Sequence, residues 1–143
     1  MRIAIITPVF PPYRGGIGAV AAAQAEAYSG AGHEVTVFSP DYGNEKVRES
    51  GSRYRLCLLR PIIKYGNAAF VPQIIWKLRG FDAVILHYPF FGAAELFLLR
   101  ASKIRPVIFY HMDVRGQGVL GVFFRAHQRY LMPLILGRAN KVI

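Results

Sequence analysis

Short apolar runs alternate with helical stretches along the whole sequence. The run at 3–6 is continuously apolar, which is typical of a strand buried on both faces of a parallel sheet. An Ala-rich stretch at 19–31 predicts a helix and 34–38 predicts the next strand, so the chain opens with a βαβ unit whose crossover should be right-handed. The alternation continues to the last residue and predicts an α/β fold, a doubly wound parallel sheet with helices on both faces.

The remaining elements follow from the same patterns. Further strands are predicted at 54–59, 83–86, 107–110 and 141–143. Further helices are predicted at 67–78, 92–103 and 119–138, the first kinked by Pro72 and the last by Pro133. The length of 143 residues fits one domain, over 1–143. Because the sequence ends inside a predicted strand, we expect it to be the first half of a larger protein.

Composition excludes several classes of protein. A hydrophobic fraction of 53% argues against intrinsic disorder, and a single cysteine, Cys57, cannot form an internal disulfide. No apolar run reaches the roughly 18 residues that a membrane-spanning helix needs, and the first residues lack the features of a signal peptide. These observations favour a cytoplasmic location.

Positive charge accumulates toward the end of the sequence. The formal net charge is +10, and 100–143 holds eight Lys and Arg residues against one Asp. A segment this basic favours an anionic partner, which could be nucleic acid, a membrane face or a phosphorylated substrate. The alternative is a solvated surface that keeps the protein soluble, and charge alone does not choose among these.

Three loops follow the carboxyl ends of predicted strands, where open parallel sheets bind ligands. In the first loop, Gly15 and Gly16 precede the Ala-rich helix. Backbone N–H groups at a helix N-terminus favour an anion such as phosphate, and Arg14 adds positive charge there. The alternative is a tight turn in which glycine is merely permitted.

A histidine begins each of the other two loops. His87 follows the strand at 83–86, and His111 follows the strand at 107–110, with Asp113 two residues further on. A histidine at such a place points into the ligand crevice, and Asp113 can orient His111 or cap a turn. The alternative for each histidine is a structural role. No metal is expected, because no third ligand has a suitable spacing.

A dinucleotide-binding motif offers an alternative function. The segment 16–21 (GIGAVA) fits the G-x-G-x-x-G/A fingerprint, and Asp41 lies about twenty residues further on. That fingerprint requires its first glycine almost directly after the strand, whereas 8–15 intervenes here with three prolines. An NAD(P)-binding domain of an oxidoreductase is therefore the weaker interpretation.

The last predicted helix mixes aromatic and basic side chains. Phe123, Phe124 and Tyr130 accompany Arg125 and Arg129, which share one helix face. Such a helix can lie in a membrane interface. The alternative, which this helix taken alone slightly favours, is that its apolar side packs on the sheet and the rest is solvated.

Five short segments form a series along the sequence. They are 7–18 (TPVFPPYRGGIG), 29–37 (SGAGHEVTV), 82–89 (DAVILHYP), 110–113 (YHMD) and 138–143 (RANKVI). In this order and spacing they resemble the N-terminal domain of the retaining glycosyltransferases of family 4, which have a GT-B fold of two Rossmann-like domains. The last two segments are most similar to members that transfer mannose or related hexoses in building bacterial polysaccharides and glycolipids.

The resemblance implies transfer of a hexosyl group, with retention, from a nucleotide-diphosphate sugar to a glycan or a lipid-linked acceptor. It implies that Gly15 and Gly16 approach the donor phosphates and that His111 is the catalytic residue, in contact with hydroxyls of the transferred sugar. His87, Arg14 and Asp113 would shape the crevice. Neither a metal nor another cofactor is expected.

The resemblance also bears on what this chain does alone. The family's nucleotide-binding domain would come after the last residue, so we expect the chain by itself to be an inactive acceptor-side half. The basic segment and the aromatic helix predict a peripheral position on the anionic inner face of the cell membrane. Nucleic acid is not an expected partner, because no recognition helix or base-stacking platform is found. A non-catalytic basic module that binds a membrane or nucleic acid is the remaining alternative.

Overall fold

Eight strands and five helices lie within residues 1–12, 15–43, 53–99 and 105–143, which the computed structural model describes. In chain order they are β1 (Arg2–Ile6), α1 (Gly16–Gly30), β2 (Glu34–Pro40), β3 (Arg55–Leu59), β4 (Ile63–Tyr65), β5 (Ala68–Phe70), α2 (Ile74–Lys77), β6 (Ala83–Tyr88), α3 (Leu96–Leu99), β7 (Val107–Tyr110), α4 (Gly118–Ala126), α5 (Met132–Gly137) and β8 (Lys141–Val142). A π-helical turn, His127–Leu131, joins α4 to α5.

The central sheet has six strands in the order β3-β2-β1-β6-β7-β8, and every neighbouring pair is parallel. The chain builds outward from β1 to β3, then crosses to the other side of β1 and builds outward again from β6. This is a doubly wound, Rossmann-like sheet, and it confirms the predicted fold class. Ligands bind such sheets where the strand order reverses, beyond the carboxyl ends of β1 and β6.

Alternate side chains along the strands enter two core layers, one on each face of the sheet. On one face, Ile3 and Ile5 of β1 pack with Ala21 and Ala25 of α1, and the small alanine side chains let the helix lie close to the sheet. On the other face, Ile6 lies in a larger layer with residues of α2, α3 and α5. The two layers hold α1 and the later helices on opposite sides.

The prediction of a helix at 67–78 is wrong for the first half of that range. Those residues belong to an antiparallel hairpin in which β4 pairs with β5, and only α2 is helical. Gly66, with a φ of +55°, lies in the two-residue connection between the strands, a conformation that glycine adopts readily. Helix α2 begins only after Pro72, which cannot donate a backbone hydrogen bond within a helix and disfavours helical backbone before it.

The two other late helices also differ from their predicted ranges. The helix predicted at 92–103 is seen as α3 after a turn at 91–95, and 100–104 lies outside the described residues. The helix predicted at 119–138 is interrupted by the π turn, which comes just before Pro133, where the usual helical hydrogen bond is missing. Within the described ranges, no helix is both long enough and apolar enough to cross a membrane.

The hairpin is locked onto the loop that follows β6. The backbone N–H of Ala69 donates to the carbonyl of Phe91 at 3.0 Å. Gly92 has a φ of +89°, and a Cβ at this position would lie 2.5 Å from the carbonyl oxygen of Ala69. Only glycine fits there, so the hairpin and the loop form one wall at the carboxyl edge of the sheet.

Candidate active site

Two imidazoles meet at the carboxyl ends of β6 and β7. Nδ1 of His87 lies 2.8 Å from Nε2 of His111, a hydrogen-bond distance. The rings are nearly parallel, at 16°, but this short distance requires them to meet edge to edge rather than face to face. His87 is fully buried (0% exposed) and His111 is half-buried, so the pair runs from the core toward the surface.

The register of β6 and β7 explains why the two histidines meet. His87 is paired with Phe109, and His111 comes two residues after Phe109, so all three side chains project from one face of the sheet. The backbone N–H of His111 donates to the carbonyl of Tyr88 at 3.0 Å, which fixes the point where the chain leaves the strand. Phe109 stacks on His87 with ring centroids 5.5 Å apart.

Gln24 of α1 contacts the buried end of this pair. Its Oε1 lies 3.1 Å from Nε2 of His87. Gln24 shares a helix face with Ala21 and Ala25, which are buried against the sheet, so its half-buried side chain reaches inward. With the amide of Gln24 in this orientation, its carbonyl oxygen can only accept a hydrogen bond, so Nε2 of His87 is the donor to it.

Both imidazoles are neutral at neutral pH. Burial, and secondly the nearby His111, lower the pKa of His87 to about 3. Burial also lowers the pKa of His111. Because neither ring carries a charge, the pair can exchange hydrogen bonds with uncharged hydroxyl groups. The described part of the chain holds no group of three or more His, Cys, Asp or Glu side chains placed to bind a metal.

Asp113 is bonded on the opposite face of the sheet. Tyr88 and Tyr110 stack there with ring centroids 5.4 Å apart, and the hydroxyl of Tyr110 donates to the carboxylate of Asp113. Burial, followed by this hydrogen bond, raises the pKa of Tyr110 to about 12. The side chain that hydrogen-bonds to His111 is therefore His87, and Asp113 orients Tyr110 instead.

A second histidine network braces the same end of the sheet. His127, whose side chain is almost fully buried, lies with Nε2 2.7 Å from a carboxylate oxygen of Glu95 and with Nδ1 3.4 Å from the hydroxyl of Tyr88. The other carboxylate oxygen of Glu95 accepts the backbone N–H of Gly92 at 2.7 Å. The π turn thereby ties α4 and α5 to the loop after β6.

The predicted phosphate-binding glycines lie where α1 begins. Gly15 is the extended residue before the helix, Gly16 is its first residue, and no side chain caps this end. A Cβ on Gly16 would meet no described atom within 4 Å, whereas one on Gly18 would lie 3.0 Å from the carbonyl oxygen of Val9. Packing therefore favours glycine at Gly18, whereas the described residues leave space beside Gly16. Arg14 lies outside the described residues.

An apolar cavity of about 580 Å³ opens at the same edge of the sheet. Val9 and Ile17 line it from the loop after β1 and the start of α1, and Met112 lines it from the loop after β7. Ala69 of the hairpin and Phe123 of α4 form the other walls. Its volume is that of a typical small-molecule site. The loops that carry Gly15 and His111 thus border one cavity.

Sequence reasoning identified both histidines but missed Gln24. The signal was present, because Gln24 lies three residues after Ala21 on the alanine face that was expected to pack on the sheet. A long polar side chain on such a face requires a buried partner. The cavity walls were also missed, because the hairpin at 63–70 was not predicted.

A comparison with known protein families identifies the class of protein to which this site belongs. The profile described as Glycosyltransferase Family 4 matches residues 14–143, which is most of the chain. The chain therefore belongs to glycosyltransferase family 4. A comparison with curated proteins gave no significant match.

Membership of this family defines the general activity. It indicates a transferase that moves a glycosyl group from a nucleotide sugar to an acceptor. It does not favour the dinucleotide-binding oxidoreductase or the non-catalytic basic module. The fingerprint at 16–21 instead lies at the first turns of α1, where packing against Val9 accounts for Gly18.

Proposed function

We propose that this chain is the acceptor-side half of a retaining hexosyltransferase with a GT-B fold, and that the acceptor is lipid-linked. The observation that carries the proposal is the neutral pair of His87 and His111 at the carboxyl ends of β6 and β7, beside the point where the strand order reverses. Doubly wound sheets bind their ligands at this point. An uncharged hydrogen-bonding pair suits the hydroxyl groups of a sugar.

His111 is the proposed catalytic residue, in contact with the transferred hexose. Its Nε2 is engaged by His87, so Nδ1 is the ring nitrogen left to meet a ligand. Retaining transfer requires the sugar to keep its orientation while the bond to the leaving diphosphate breaks. A hydrogen bond from a hydroxyl of the sugar to a fixed imidazole restricts that orientation.

The proposed site for the donor diphosphate is the start of α1. Departure of the nucleoside diphosphate places negative charge on phosphate oxygens. Backbone N–H groups at Gly15 and Gly16, with the positive end of the helix dipole, stabilise that charge, and Arg14 adds a guanidinium. Asp113 contributes to the crevice through Tyr110, and the scheme uses no metal or other cofactor.

The apolar cavity is the proposed site for the lipid part of the acceptor. A glycan would require polar walls, whereas this cavity is lined by side chains such as those of Val9, Ile17 and Phe123. Apolar side chains continue onto the surface beside it: Val119 of α4 is 87% exposed and Tyr65 of the hairpin 69%. This exposed surface leads from the cavity toward a membrane.

We propose that α4 and the π turn rest on an anionic membrane face. Phe123 and Tyr130 are 54% and 66% exposed, which argues against a purely core-packing role for this helical segment. Arg125 and Arg129 are exposed beside them. This combination of exposed aromatic and basic side chains is typical of helices that lie in a membrane interface.

A second domain is proposed to bind most of the donor nucleotide, as the family resemblance implies. The described site offers hydroxyl-binding imidazoles, a helix start and an apolar cavity, but these meet only the sugar, the phosphates and the acceptor. This chain alone is therefore expected to bind nucleotide sugars weakly and to transfer nothing. The activity belongs to the protein in which both domains are present.

Transfer of labelled hexose tests the proposal. The intact protein is given UDP-glucose, UDP-galactose or GDP-mannose, with either vesicles of bacterial lipid extract or water-soluble oligosaccharides. We expect one donor to label the lipid fraction, with release of the nucleoside diphosphate and the donor's anomeric configuration in the product. Labelling of oligosaccharide alone would overturn the lipid-linked acceptor, inverted configuration would overturn retention, and transfer from none of the donors would overturn the function.

A further inference from the structure

Three side chains form a continuous hydrogen-bonded line from α1 to the loop after β7. Gln24 contacts Nε2 of His87 at 3.1 Å, and Nδ1 of His87 contacts Nε2 of His111 at 2.8 Å. His87 is fully buried between the other two, so both of its ring nitrogens are used inside the protein. We call Gln24, His87 and His111 the histidine relay.

The positions of the protons in the histidine relay follow from Gln24. A neutral imidazole carries one N–H, and Oε1 of Gln24 can only accept, so the proton of His87 is on Nε2. Nδ1 of His87 must then accept, and it is the Nε2–H of His111 that donates to it. His111 therefore carries its proton on Nε2 and a free lone pair on Nδ1.

Burial makes this order of donors and acceptors stable. The lowered pKa values of both rings mean that each imidazole carries a single proton near neutral pH. No second proton therefore disturbs the order of donors and acceptors. Without a rotation of the Gln24 amide, the opposite order would place the Nε2 lone pair of His87 against the carbonyl oxygen of Gln24. Two acceptors facing each other at a buried site carry a substantial free-energy cost.

We infer that Gln24 and His87 are positioning residues, which fix the tautomer of His111 so that its Nδ1 accepts a hydrogen bond from a substrate hydroxyl. This inference rests on the proposed function, which places the transferred sugar beside His111. Neither Gln24 nor His87 needs to touch the sugar. Gln24 is distant from His111 in the sequence. It thus controls whether Nδ1 of His111 accepts a hydrogen bond from the substrate.

Two substitutions of Gln24 test the inference because only one of them keeps an acceptor for the proton of His87. Gln24→Met keeps a flexible side chain of similar length but removes the acceptor of the His87 proton. Gln24→Glu keeps a side-chain oxygen that accepts it. Glu26→Met, at an exposed position of the same helix, controls for the loss of a polar side chain from α1.

Nitrogen-15 NMR of the imidazole rings reads the tautomers directly, without need of activity. In the unaltered protein and in Gln24→Glu we expect Nε2–H on both His87 and His111. In Gln24→Met we expect mixed tautomers. The spectra of the control variant Glu26→Met should match those of the unaltered protein. If His111 of the unaltered protein carried Nδ1–H, the inference would be overturned.

Kinetics of the intact transferase give the second readout. We expect Gln24→Met to lower kcat about tenfold, the effect of one hydrogen bond of ordinary strength in the transition state, with a similar KM and melting temperature. Gln24→Glu should restore most of kcat. Equal kcat in Gln24→Met and the unaltered protein would overturn the positioning role. Absence of any transferase activity alongside the expected tautomers would overturn the proposed function instead.

Discussion

At the scale of single residues, burial decides what each histidine can do. His87 has no solvent contact and has a protein partner on each ring nitrogen, whereas His111 is half-buried and contacts His87 through Nε2. Their positions at strand ends could be predicted from the sequence because each follows a short apolar run. The hydrogen bond between them could not, because it depends on the register of β6 against β7.

The buried neutral state of His87 predicts a dependence of stability on pH. Its pKa is about 3 in the folded protein and 6.5 when it is solvated, so between these values the unfolded chain binds more protons. Stability should therefore fall as the pH falls, by about 2 kcal/mol between pH 7 and pH 5 from this residue. Urea unfolding across this range measures the slope.

A pair of histidine substitutions isolates this effect. His87→Gln removes the titrating ring while leaving an amide that can accept from His111, so the slope should become shallower. His33→Gln, which removes a half-buried imidazole between α1 and β2, is the matched control against which the slope of His87→Gln is compared. An unchanged slope in His87→Gln would contradict the assigned cause.

At the scale of elements, the central strands were the easiest to predict. Continuous apolar runs such as 3–6 and 83–86 must be buried on both faces, and this excludes most other assignments of secondary structure for them. The hairpin was missed because the residues at 67–78 suit a helix. The turn that excludes this helix is at Gly66, just before them, and its φ is known only from the folded structure. The place of Gln24 on the alanine face indicates a buried partner, but the sequence does not identify that partner as His87, because His87 lies in a strand distant in sequence.

The packing of the hairpin against Gly92 predicts that a single methyl group added there lowers the stability of the protein strongly. Gly92→Ala places a Cβ 2.5 Å from the carbonyl oxygen of Ala69 at a backbone φ of +89°. We expect the free energy of unfolding to fall by about 3 kcal/mol, from backbone strain and overpacking together. Chemical denaturation measures the change.

Gly32→Ala separates the two contributions. Gly32 has nearly the same φ, +86°, but a Cβ there would meet no described atom within 4 Å. Backbone strain alone should lower the stability of this variant by about 1–2 kcal/mol. Equal losses in the two variants would mean that the hairpin does not press on the loop after β6.

At the scale of the whole molecule, exposed apolar side chains gather around the mouth of the cavity. Tyr65 of the hairpin and Val119 and Phe123 of α4 are all more than half exposed. The last third of the chain also carries most of the net positive charge. An apolar surface next to arginines is expected to adsorb to an anionic bilayer.

Vesicle flotation tests this adsorption. The intact protein should float with vesicles that contain anionic lipid, should not float with neutral ones, and should be released at high salt. Changing Arg125 and Arg129 together to Gln should weaken binding by about 2 kcal/mol, or roughly thirtyfold, because each arginine contributes about 1 kcal/mol. Absence of flotation with both kinds of vesicle would contradict membrane docking.

A second double variant controls for the loss of net charge. Arg55 is the first residue of β3 and Arg79 precedes β6, so both lie toward the amino end of the sheet, away from the cavity. Both are exposed. Changing them to Gln removes the same charge and should leave flotation nearly unchanged. Equal weakening by both double variants would indicate adsorption through net charge rather than through α4.

Substitution of His111 tests the central claim most directly. His111→Ala in the intact transferase removes the ring that is proposed to contact the transferred hexose, while the fully buried His87 and the sheet remain. We expect kcat to fall about a hundredfold or more, with a loss of unfolding free energy of only about 1 kcal/mol. Turnover near that of the unaltered protein would contradict the account of this site as the place of glycosyl transfer.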